Sequence, residues 1–501
     1  MPLEIGKLTC LRTLEIFIVG NEEGRKIGEL GNLKNLQGEL TITNLEKVRG
    51  KAEAMGACLV EKQNLNFLEF EWSEPGKREG DNNDDEEVLE GLQPHQNLKR
   101  LAITYFYGDK FPAWTMKMNF PKLVEIFLKD CYKCQEMPTL GHLPLLKILK
   151  VYELRSVTSI GPSFYHEEHS SRAGVPFPAL ERFELHEMDS LTEWVEAGAT
   201  AFPKLEFLEI WSCRELMTAP SHAFPSLRTL RIRNVWSEVP VTTICSNSSS
   251  LEELYIYDNS NLTSLPYKLF HNNQCLQSIE IQSCYNLRQV ELSDALIKSL
   301  GELKIITCSN LASIQCQTTD YPISRLSNLE IIGCPMLAGF VSEMLLKKRT
   351  LSMENPGFWM NRLKRLDIDS FSEETVVNET LKGLREIHSL RELRLTGMRD
   401  WECLPDQLQH LTSLTHLTLV EFGIEALPQW FSNLSSLNYL CVLSCEKLMD
   451  LTCLQFLTEL KTLDIWDCRL LGEALNYRSR AAHISHIPNI SVDWMFTLYD
   501  V

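Results

Sequence analysis

The stretch FPKLEFLEIWSCREL, Phe202 to Leu216, decides the fold of this chain. It places Leu205, Leu208 and Ile210 at offsets 0, 3 and 5 of an L-x-x-L-x-L figure, with Cys213 at offset 8. The same figure returns with the same cysteine in two further stretches, LQSIEIQSCYNL at residues 276–287 and LKTLDIWDCRLL at residues 460–471. A recurrence this regular indicates an internal repeat.

The repeated figure runs along the chain in about 18 units. Its residue at offset 3 falls at Leu14, Leu40, Leu68, Leu101, Ile126, Leu149, Phe183, Leu208, Leu230, Leu254, Ile279, Leu303, Leu329, Leu366, Leu393, Leu417, Leu440 and Leu463. Most intervals are 22 to 28 residues, the period of units that each supply one short parallel strand and one returning segment. Because side chains alternate along a strand, offsets 3 and 5 face the core and offsets 2, 4 and 6 face solvent. The sequence predicts an α/β leucine-rich repeat solenoid, or horseshoe, with a parallel β-sheet on its concave face and short helical or irregular convex segments.

The cysteine at offset 8 has a structural interpretation. Leucine-rich repeats place Asn or Cys where the chain turns inward after the strand, and its side chain hydrogen-bonds to neighbouring backbone carbonyls. The position is held by Cys131, Cys213, Cys284, Cys308, Cys334, Cys445, Cys468 and Asn259. We therefore expect these side chains to form a hydrogen-bonded ladder along the solenoid.

Charge and composition argue against several classes of function. Lys and Arg total 49 against 67 Asp and Glu, so the formal net charge is −18 and nucleic acid would be repelled on average. No apolar run is long enough to span a bilayer, and the start, MPLEIGKLTCLR, lacks the pattern of a secretory signal. The 16 cysteines are scattered through a long chain, which favours reduced thiols. We expect a cytoplasmic protein with no nucleic acid partner and no membrane span.

Two short motifs resemble metal or redox sites but have simpler explanations. Cys131 and Cys134 form a C-x-x-C, yet Cys131 already belongs to the ladder and no second Cys or His pair lies at zinc-finger spacing. HEEH, residues 166–169, is one residue short of the zinc-protease spacing and lies among Ser, Gly and Pro. No nucleophile elbow and no phosphate-binding loop occurs. The sequence predicts no enzyme activity, no catalytic or metal-binding residue and no cofactor.

The solvent face of the strands is the candidate protein-binding surface. Large aromatic and arginine side chains on a rigid sheet are typical of protein-binding hot spots. Offsets 4 and 6, taken from the unit of Leu208 onward, give the candidates Glu209, Trp211, Arg231, Arg233, Tyr255, Tyr257, Glu280, Lys304, Asp367, Asp369, Arg394 and Trp466. Fewer than a third of the residues in such an interface dominate its binding energy, so the prediction concerns the surface as a whole.

We assign residues 1–480 to a leucine-rich repeat domain of irregular units and residues 481–501 to a C-terminal cap. The cap contains the apolar stretch ISHIPNISVDWMF, which would cover the last repeat. Three intervals are longer than the rest. The first, residues 74–90, is predicted to form a polar loop that leads into the helical stretch EEVLEGLQPH at residues 86–95. The sequence also predicts a polar loop within residues 161–178 and a short amphipathic helix within residues 340–359.

Four further stretches are informative: MPLEIGKLTCLRTLEIFIVG at residues 1–20, ELGNLKNLQGELTITNLEKV at 29–48, EVLEGLQPHQNLKRLAITYFYGDKFPAW at 87–114 and FPALERFELHEMDSLTEWVE at 177–196. In order and spacing they resemble the leucine-rich region of plant intracellular immune receptors. These receptors are the nucleotide-binding leucine-rich repeat (NLR) disease-resistance proteins of the coiled-coil class. The likeness covers almost the whole chain and is most specific up to about residue 210.

In that family a helical signalling domain and a nucleotide-binding switch precede the repeats. The phosphate-loop and switch motifs do not occur here, so nucleotide binding is not expected of this sequence. The resemblance implies a non-catalytic recognition module in plant defense: the early repeats would hold the switch inactive, and the later concave face would sense a pathogen effector or a guarded host protein. The alternatives are an extracellular leucine-rich repeat receptor ectodomain, which five Asn-x-Ser/Thr sequons favour, or another leucine-rich repeat interaction scaffold.

Overall fold

Short parallel strands recur along the chain at the spacing of the repeat. The computed structural model describes residues 1–78, 84–117, 120–166, 174–196, 201–221, 224–270, 272–316, 325–337, 362–369, 388–471 and 481–492. The chain divides into two compact units, which are unit 1 at Met1–Tyr255 and unit 2 at Ile256–Val501.

Unit 1 is built on strands that pair in sequence order. Its strands are β1 (Ile16–Ile18), β2 (Gln37–Thr43), β3 (Asn64–Glu71), β4 (Arg100–Thr104), β5 (Glu125–Lys129), β6 (Ile148–Tyr152), β7 (Ser159–Ile160), β8 (Arg182–His186), β9 (Glu193–Trp194), β10 (Phe207–Trp211) and β11 (Thr229–Arg233). From β1 to β6, then β8, β10 and β11, each strand pairs in parallel with the next. β7 and β9 form a separate parallel pair on the returning segments.

Unit 2 repeats the same arrangement. β12 (Glu253–Tyr257) contains the boundary between the units, and it is followed by β13 (Ser264–Leu265), β14 (Ser278–Gln282), β15 (Gln289–Leu292), β16 (Glu302–Ile306), β17 (Ser313–Cys316), β18 (Asn328–Ile332), β19 (Arg365–Ile368), β20 (Glu392–Thr396), β21 (His416–Val420), β22 (Tyr439–Leu443), β23 (Thr462–Trp466) and β24 (Asn489–Val492). The strands β14, β16 and β18 to β24 pair in parallel in that order. β13, β15 and β17 form a second parallel sheet. The predicted leucine-rich repeat solenoid is confirmed.

The helices are short, as the repeat period requires. The α-helices are α1 (Gly50–Met55), α2 (Asp85–Gly91), α3 (Ala113–Lys117), α4 (Pro162–Tyr165), α5 (Val239–Asn247) and α6 (Asp294–Ser299). The 3₁₀-helices cover Ile5–Lys7, Ile27–Asn32, Leu45–Lys47, Leu59–Glu61, Tyr267–Phe270, Pro335–Leu337, Asp406–His410, Gln429–Asn433, Thr452–Phe456 and Ala481–Ile484. A repeat of about 25 residues has room for one strand and at most two or three helical turns, so none of these elements is long.

The core is formed by the residues at offsets 3 and 5, as predicted. In β10, Leu208 and Ile210 are fully buried, and the burial alternates along the strand. Leu208 pairs in register with Phe183 of β8 and Leu230 of β11, so each apolar side chain lies against its equivalents in the neighbouring repeats. Each repeat therefore depends on the neighbouring repeats to bury its apolar side chains.

The first repeat, which contains β1, differs from the predicted register. We expected Leu14 and Ile16 in the core, but Ile16 is 52% exposed, whereas Phe17 is fully buried. In the sheet, Phe17 pairs with the core residue Ile42 of β2. Because side chains alternate along a strand, a shift of one residue moves the whole apolar set to the other face. The apolar run Ile16–Val19 offers core residues in either register, which is why the pattern alone misassigned it.

A left-handed residue follows each of several strands at offset 7. Asp130, Glu187, Ser212 and Ser283, none of them glycine, have φ between 53° and 56°. The backbone N–H of each donates to the carbonyl at offset 6 of the next strand; for Ser212 the acceptor is the oxygen of Arg233, at 2.8 Å. A non-glycine residue in this conformation costs about 1 kcal/mol, which the cross-strand bond offsets. The turn directs offset 8 into the interior.

The predicted ladder at offset 8 is confirmed for its cysteines, whereas the side-chain oxygen of Asn259 accepts from the backbone N–H of Leu262 at 3.1 Å. Five thiols donate to carbonyl oxygens on the strand of the preceding repeat, at 3.7 to 4.0 Å: Cys131 to Ile103, Cys213 to Leu185, Cys284 to Ile256, Cys334 to Ile305 and Cys468 to Val442. Cys308 and Cys445 donate to the carbonyl two residues earlier, both at 3.6 Å. Burial raises the pKa of Cys213 to about 12, so this thiol is neutral and unreactive at physiological pH.

Part of the predicted loop and cap architecture lies outside the described residues. These are residues 79–83 and 167–173 of the two predicted loops, 340–359 of the predicted helix and 493–501 of the predicted cap. In the described part, α2 confirms the predicted helical stretch, whereas α4, with Phe164 and Tyr165 buried, corrects the predicted polar loop. Ile484 and Ile487 are buried, and β24 pairs with β23. The division into a repeat domain, 1–480, and a cap, 481–501, stays a prediction.

Candidate protein-binding surface

The strand register of unit 1 sets the predicted candidates beside one another. Glu209 pairs with Glu184 on one side and with Arg231 on the other, while Trp211 lies between His186 and Arg233. These side chains leave the same face of the sheet, opposite the leucine core, because they occupy offsets 4 and 6. We call this the open face of the strands.

Along offset 6, four side chains stack across successive strands. The rings of Tyr152 and His186 are parallel within 7°, with centroids 4.1 Å apart. His186 meets Trp211 edge to face at 4.9 Å, and the Arg233 guanidinium lies 5.7 Å from the Trp211 ring. Trp211 is half-buried and Arg233 is exposed, so a partner could reach both.

A second row of stacked side chains runs beside the first. The Arg182 guanidinium lies 3.7 Å from the centroid of the Phe207 ring. Arg231 lies between two rings, 5.4 Å from Phe207 and 4.8 Å from Tyr255. Stacking of this kind holds arginine heads in place and adds about 0.5–1 kcal/mol per exposed pair. The two rows form the aromatic–arginine surface, defined as Tyr152, Arg182, His186, Phe207, Trp211, Arg231, Arg233 and Tyr255.

Two carboxylates lie within this surface. Glu184 is buried and accepts hydrogen bonds from Tyr152 and Arg182. Glu209 approaches His186, with 3.6 Å between Oε2 and Nε2, and the contact with this imidazole lowers the pKa of Glu209. Burial, followed by the bond to Glu184, raises the pKa of Tyr152. Glu184 therefore helps to hold the Arg182 side chain over the Phe207 ring.

A cavity of about 290 Å³ adjoins the aromatic–arginine surface. It is lined by Phe67, Glu69, Arg100, Leu101, Ala102, Glu125, Phe127, Lys150 and Tyr152, from β3 to β6. Tyr152 belongs to both sites, and its ring meets Phe127 edge to face at 5.1 Å. A partner that covers the surface could therefore also insert a side chain here.

Our sequence reasoning missed half of this surface. Tyr152, Arg182, His186 and Phe207 are absent from the predicted candidates. The rule that selected Trp211 would have found Tyr152 and His186, because both stand at offset 6, but it was applied only from Leu208 onward. Arg182 and Phe207 stand at offset 2, and nothing in the pattern shows that these two side chains stack.

The open face of unit 2 carries a different set of contacts. Tyr257 donates to Glu280 at 3.0 Å. The ammonium of Lys304 lies 4.0 Å from a Glu280 oxygen and 3.3 Å from a Glu302 oxygen. These predicted candidates thus lie in a string of acid–base contacts along β14 and β16.

The remaining candidates of unit 2 differ in accessibility. Asp367 is only 3% exposed, so it offers no surface to a partner. Its Oδ1 lies 3.7 Å from the Nε of Arg394, which is exposed. Asp369 is partly exposed and accepts from the N–H of Gly333, and Trp466 on β23 is 42% exposed. Of these residues, Arg394 and Trp466 are the accessible ones.

The C-x-x-C motif is structural, as expected. Cys134 is buried and donates to the carbonyl of Gly108 at 3.2 Å, while Cys131 belongs to the ladder. Both residues carry free thiols, and burial raises the pKa of each. In the HEEH motif His166 is described, and residues 167–169 lie outside the described residues.

The strand register and the ladder define a leucine-rich repeat protein. Residues 27–154 match the family model described as R13L1/DRL21 leucine-rich repeats. Those residues include β2 to β6 and the cavity strands. Among the described residues, no helix has the length and apolar character that a membrane crossing requires.

The relatives that match are plant disease resistance proteins, which confirms the predicted resemblance. The disease resistance protein RGA2 of Solanum bulbocastanum is 31% identical over 290 residues, 58% of this chain and 27% of that protein. RGA1 of the same species is 32% identical over 296 residues, 58% of this chain and 28% of that protein. The RPP13-like protein 1 of Arabidopsis thaliana is 32% identical over 321 residues, 59% and 29% of the two chains. This chain spans less than a third of the length of these relatives.

Two solved structures resemble the fold at low identity. A TLR13–ssRNA13 complex matches 92% of this chain and 65% of that chain, with a TM-score of 0.47 and 14% identity. A leucine-rich repeat protein of Leptospira interrogans matches 92% of this chain and 91% of that chain, with a TM-score of 0.40 and 14% identity.

Proposed function

We propose that this chain is the non-catalytic protein-recognition module of a plant intracellular immune receptor. The observation that carries the proposal is the aromatic–arginine surface, supported by relatives that are plant disease resistance proteins. The chain binds a protein through this surface and performs no chemistry on it. Its place of action is the cytoplasm.

The composition of the surface suits protein binding. Trp, Tyr and Arg are the residues most enriched among binding hot spots. Here they are held in stacked positions before a partner arrives, so little side-chain entropy remains to be lost on binding. Trp211 keeps part of its ring accessible and the neighbouring Arg233 is exposed, which makes this pair the centre of the proposed interface.

The partner is a pathogen effector or a guarded host protein. In a longer receptor, the early repeats of unit 1 would also rest against the nucleotide-binding switch and hold it inactive. That role follows from the resemblance to the NLR family, whose members this chain matches over a fraction of their length.

The test is capture followed by quantitative binding. The full chain is immobilised, proteins from infected and healthy plant leaf extracts are captured, and each captured protein is purified and titrated against variants by calorimetry. We expect Trp211→Ala with Arg233→Ala to weaken binding about a thousandfold, because two central contacts of about 2 kcal/mol each are lost.

The matched control lies in unit 2. Trp466→Ala with Arg394→Ala removes the same two residue types from the open face of another part of the chain, and we expect less than a threefold change. Circular dichroism of both double variants checks that the fold is intact. Equal affinity of the Trp211/Arg233 variant and the wild type would remove this surface from the proposal. Measurable turnover of the partner by the chain would contradict the non-catalytic role.

A further inference from the structure

Three potential metal ligands meet on the open face of unit 1. Glu184 and His186 stand on β8, and Glu209 stands on β10, beside Glu184 in register. The ligand atoms of the three residues all lie within 4.8 Å of one another, and Nε2 of His186 is 3.6 Å from Oε2 of Glu209. Glu184 and Glu209 are 25 positions apart in sequence, so only the strand register brings them together.

The imidazole of His186 lacks a hydrogen bond that its burial calls for. His186 is 8% exposed, and its Nε2 has no hydrogen-bond partner among the described residues. A buried polar atom left in this state has lost its hydrogen bonds to water without a replacement. The ring is fixed between Tyr152, stacked at 4.1 Å, and Trp211 at 4.9 Å, and its Nε2 points toward Glu209. This atom is aimed at the space that a ligand of the cluster would occupy.

We propose that Glu184, His186 and Glu209 bind one zinc ion. One imidazole nitrogen and two carboxylates form a donor set that Zn²⁺ accepts, with bonds of about 2.0–2.2 Å. Tetrahedral ligands at that bond length lie about 3.3 Å apart. The distance from His186 to Glu209 is already close to this value, and Glu209, which neither Tyr152 nor Arg182 holds, can rotate toward Glu184.

The hydrogen-bond partners of Glu184 would hold this side chain in place as a metal ligand. Tyr152 and Arg182 donate to its two carboxylate oxygens and fix their orientation. Metal-binding carboxylates in proteins are commonly held by such hydrogen bonds, and each oxygen keeps a further lone pair for the metal. Zinc would also satisfy the buried Nε2 of His186 and offset the charge of two neighbouring carboxylates.

Three protein donors leave a fourth position on the ion. Because the site lies on the open face, that position points away from the leucine core and would hold water. Zinc binding needs only the residues of this chain. It is therefore independent of the proposed protein partner, and the two proposals can fail separately.

The experiment is a zinc titration of the full chain. Exposed thiols also bind zinc, so Cys10, Cys275 and Cys403 are replaced by Ser in every sample. Zinc chloride is titrated by calorimetry, and cobalt chloride is added separately, because tetrahedral Co²⁺ shows a visible absorption spectrum. We expect one equivalent of zinc per chain, together with the tetrahedral cobalt spectrum.

Two ligand variants and one matched control decide the outcome. We expect His186→Gln and Glu209→Gln each to weaken zinc binding at least tenfold and to remove the cobalt spectrum. His416→Gln alters an exposed histidine on a strand of unit 2 and should leave both unchanged. Glu209 is only half-buried and glutamine has its shape, so this variant still decides the question if His186→Gln does not fold.

The proposal is overturned by any of three results. The first is no saturable binding by the parent protein. The second is wild-type affinity in Glu209→Gln, and the third is equal weakening by His416→Gln. Loss of zinc binding in the two ligand variants, with retained affinity in the control, supports the site.

Discussion

The open faces of the two units are built on the same backbone but carry different chemistry. In unit 1 the side chains stack as rings and guanidinium groups, from Tyr152 through Trp211 to Arg233. In unit 2 many of them meet as acid–base contacts, such as Lys304 with Glu280 and with Glu302. Stacked rings and arginine heads suit the desolvated centre of a protein interface, whereas solvated ion pairs contribute little binding energy.

The contrast shows that the repeat determines where each side chain lies, but not which residue types occupy the open face. The core residues at offsets 3 and 5 and the ladder at offset 8 are shared by both units, because stacking demands them. Residues at offsets 2, 4 and 6 do not pack in the core, so stacking of the repeats does not restrict their type. Recognition is therefore determined by which residues fall at these offsets, and the fold itself does not specify it.

Two acids at the same offset illustrate the difference. Glu209 of unit 1 and Asp367 of unit 2 both stand at offset 4. Contact with His186 lowers the pKa of Glu209, whereas burial raises the pKa of Asp367 to about 7 and Arg394 only partly opposes it. The first acid should stabilise the fold as an anion, and the second should destabilise it.

The largest expected effect concerns Asp367. Between about pH 4 and pH 7 the folded chain keeps this proton and the unfolded chain has lost it, so stability falls as pH rises, by roughly 1.4 kcal/mol per pH unit. Asp367→Asn should remove this dependence and stabilise the protein at pH 8. Urea unfolding of both proteins at pH 5 and pH 8 measures it, and the same pH dependence in both would show that Asp367 is not the cause.

The next effect tests what the two units share. Cys213→Ala in unit 1 and Cys334→Ala in unit 2 each remove a buried thiol that donates to the neighbouring strand. Each should lower the free energy of unfolding by about 1–2 kcal/mol, from the lost hydrogen bond and the small cavity. Urea unfolding of the two variants side by side is the measurement. Costs that differ severalfold between the units would contradict a common ladder.

A smaller effect of opposite sign to Asp367 is expected at Glu209. Because its folded pKa is lowered, its contribution is present above the ordinary glutamate pKa and is lost as pH falls through the folded value. The residue is half-buried, so solvent screening keeps the gain below about 1 kcal/mol. In metal-free buffer, Glu209→Gln should be slightly less stable than the wild type at pH 7, and this difference should shrink as pH falls below the ordinary glutamate pKa. A variant that is more stable than the wild type at pH 7 would refute the assignment.

The smallest effect is expected at Glu280. Its contact with Lys304 spans 4.0 Å between two partly exposed side chains, and Tyr257 donates to it at 3.0 Å. Glu280→Gln keeps the shape and should change the free energy of unfolding by less than about 0.5 kcal/mol. Thermal unfolding at low and high salt checks this, and a loss of 2 kcal/mol or more would mean that the face of unit 2 is more than a set of solvated pairs.

The sequence predicted those features that the repeat imposes. The pairing of Leu208 with Phe183 and Leu230, and the bond from Cys213 to Leu185, follow from a period that is visible along the chain. The left-handed residue at offset 7 was not predicted, because a serine, an aspartate and a glutamate can all adopt it and no residue type marks it.

The features that were not predicted depend on side-chain packing between neighbouring repeats, which the repeat pattern does not encode. Asp367 was predicted as a surface residue because its offset faces solvent, yet its side chain is buried. The stack of Arg182 on Phe207 and the cluster of Glu184 with Glu209 join residues 25 positions apart. Only the distances between neighbouring strands reveal such contacts.

The most direct test of the account is hydroxyl-radical footprinting of two tryptophans in the wild-type chain, with and without the captured partner. Trp211 and Trp466 both stand at offset 6, one in each unit, and serve as each other's control. The account predicts that the partner lowers oxidation of Trp211 severalfold and leaves Trp466 unchanged. Protection of Trp466 with continued oxidation of Trp211 would contradict it.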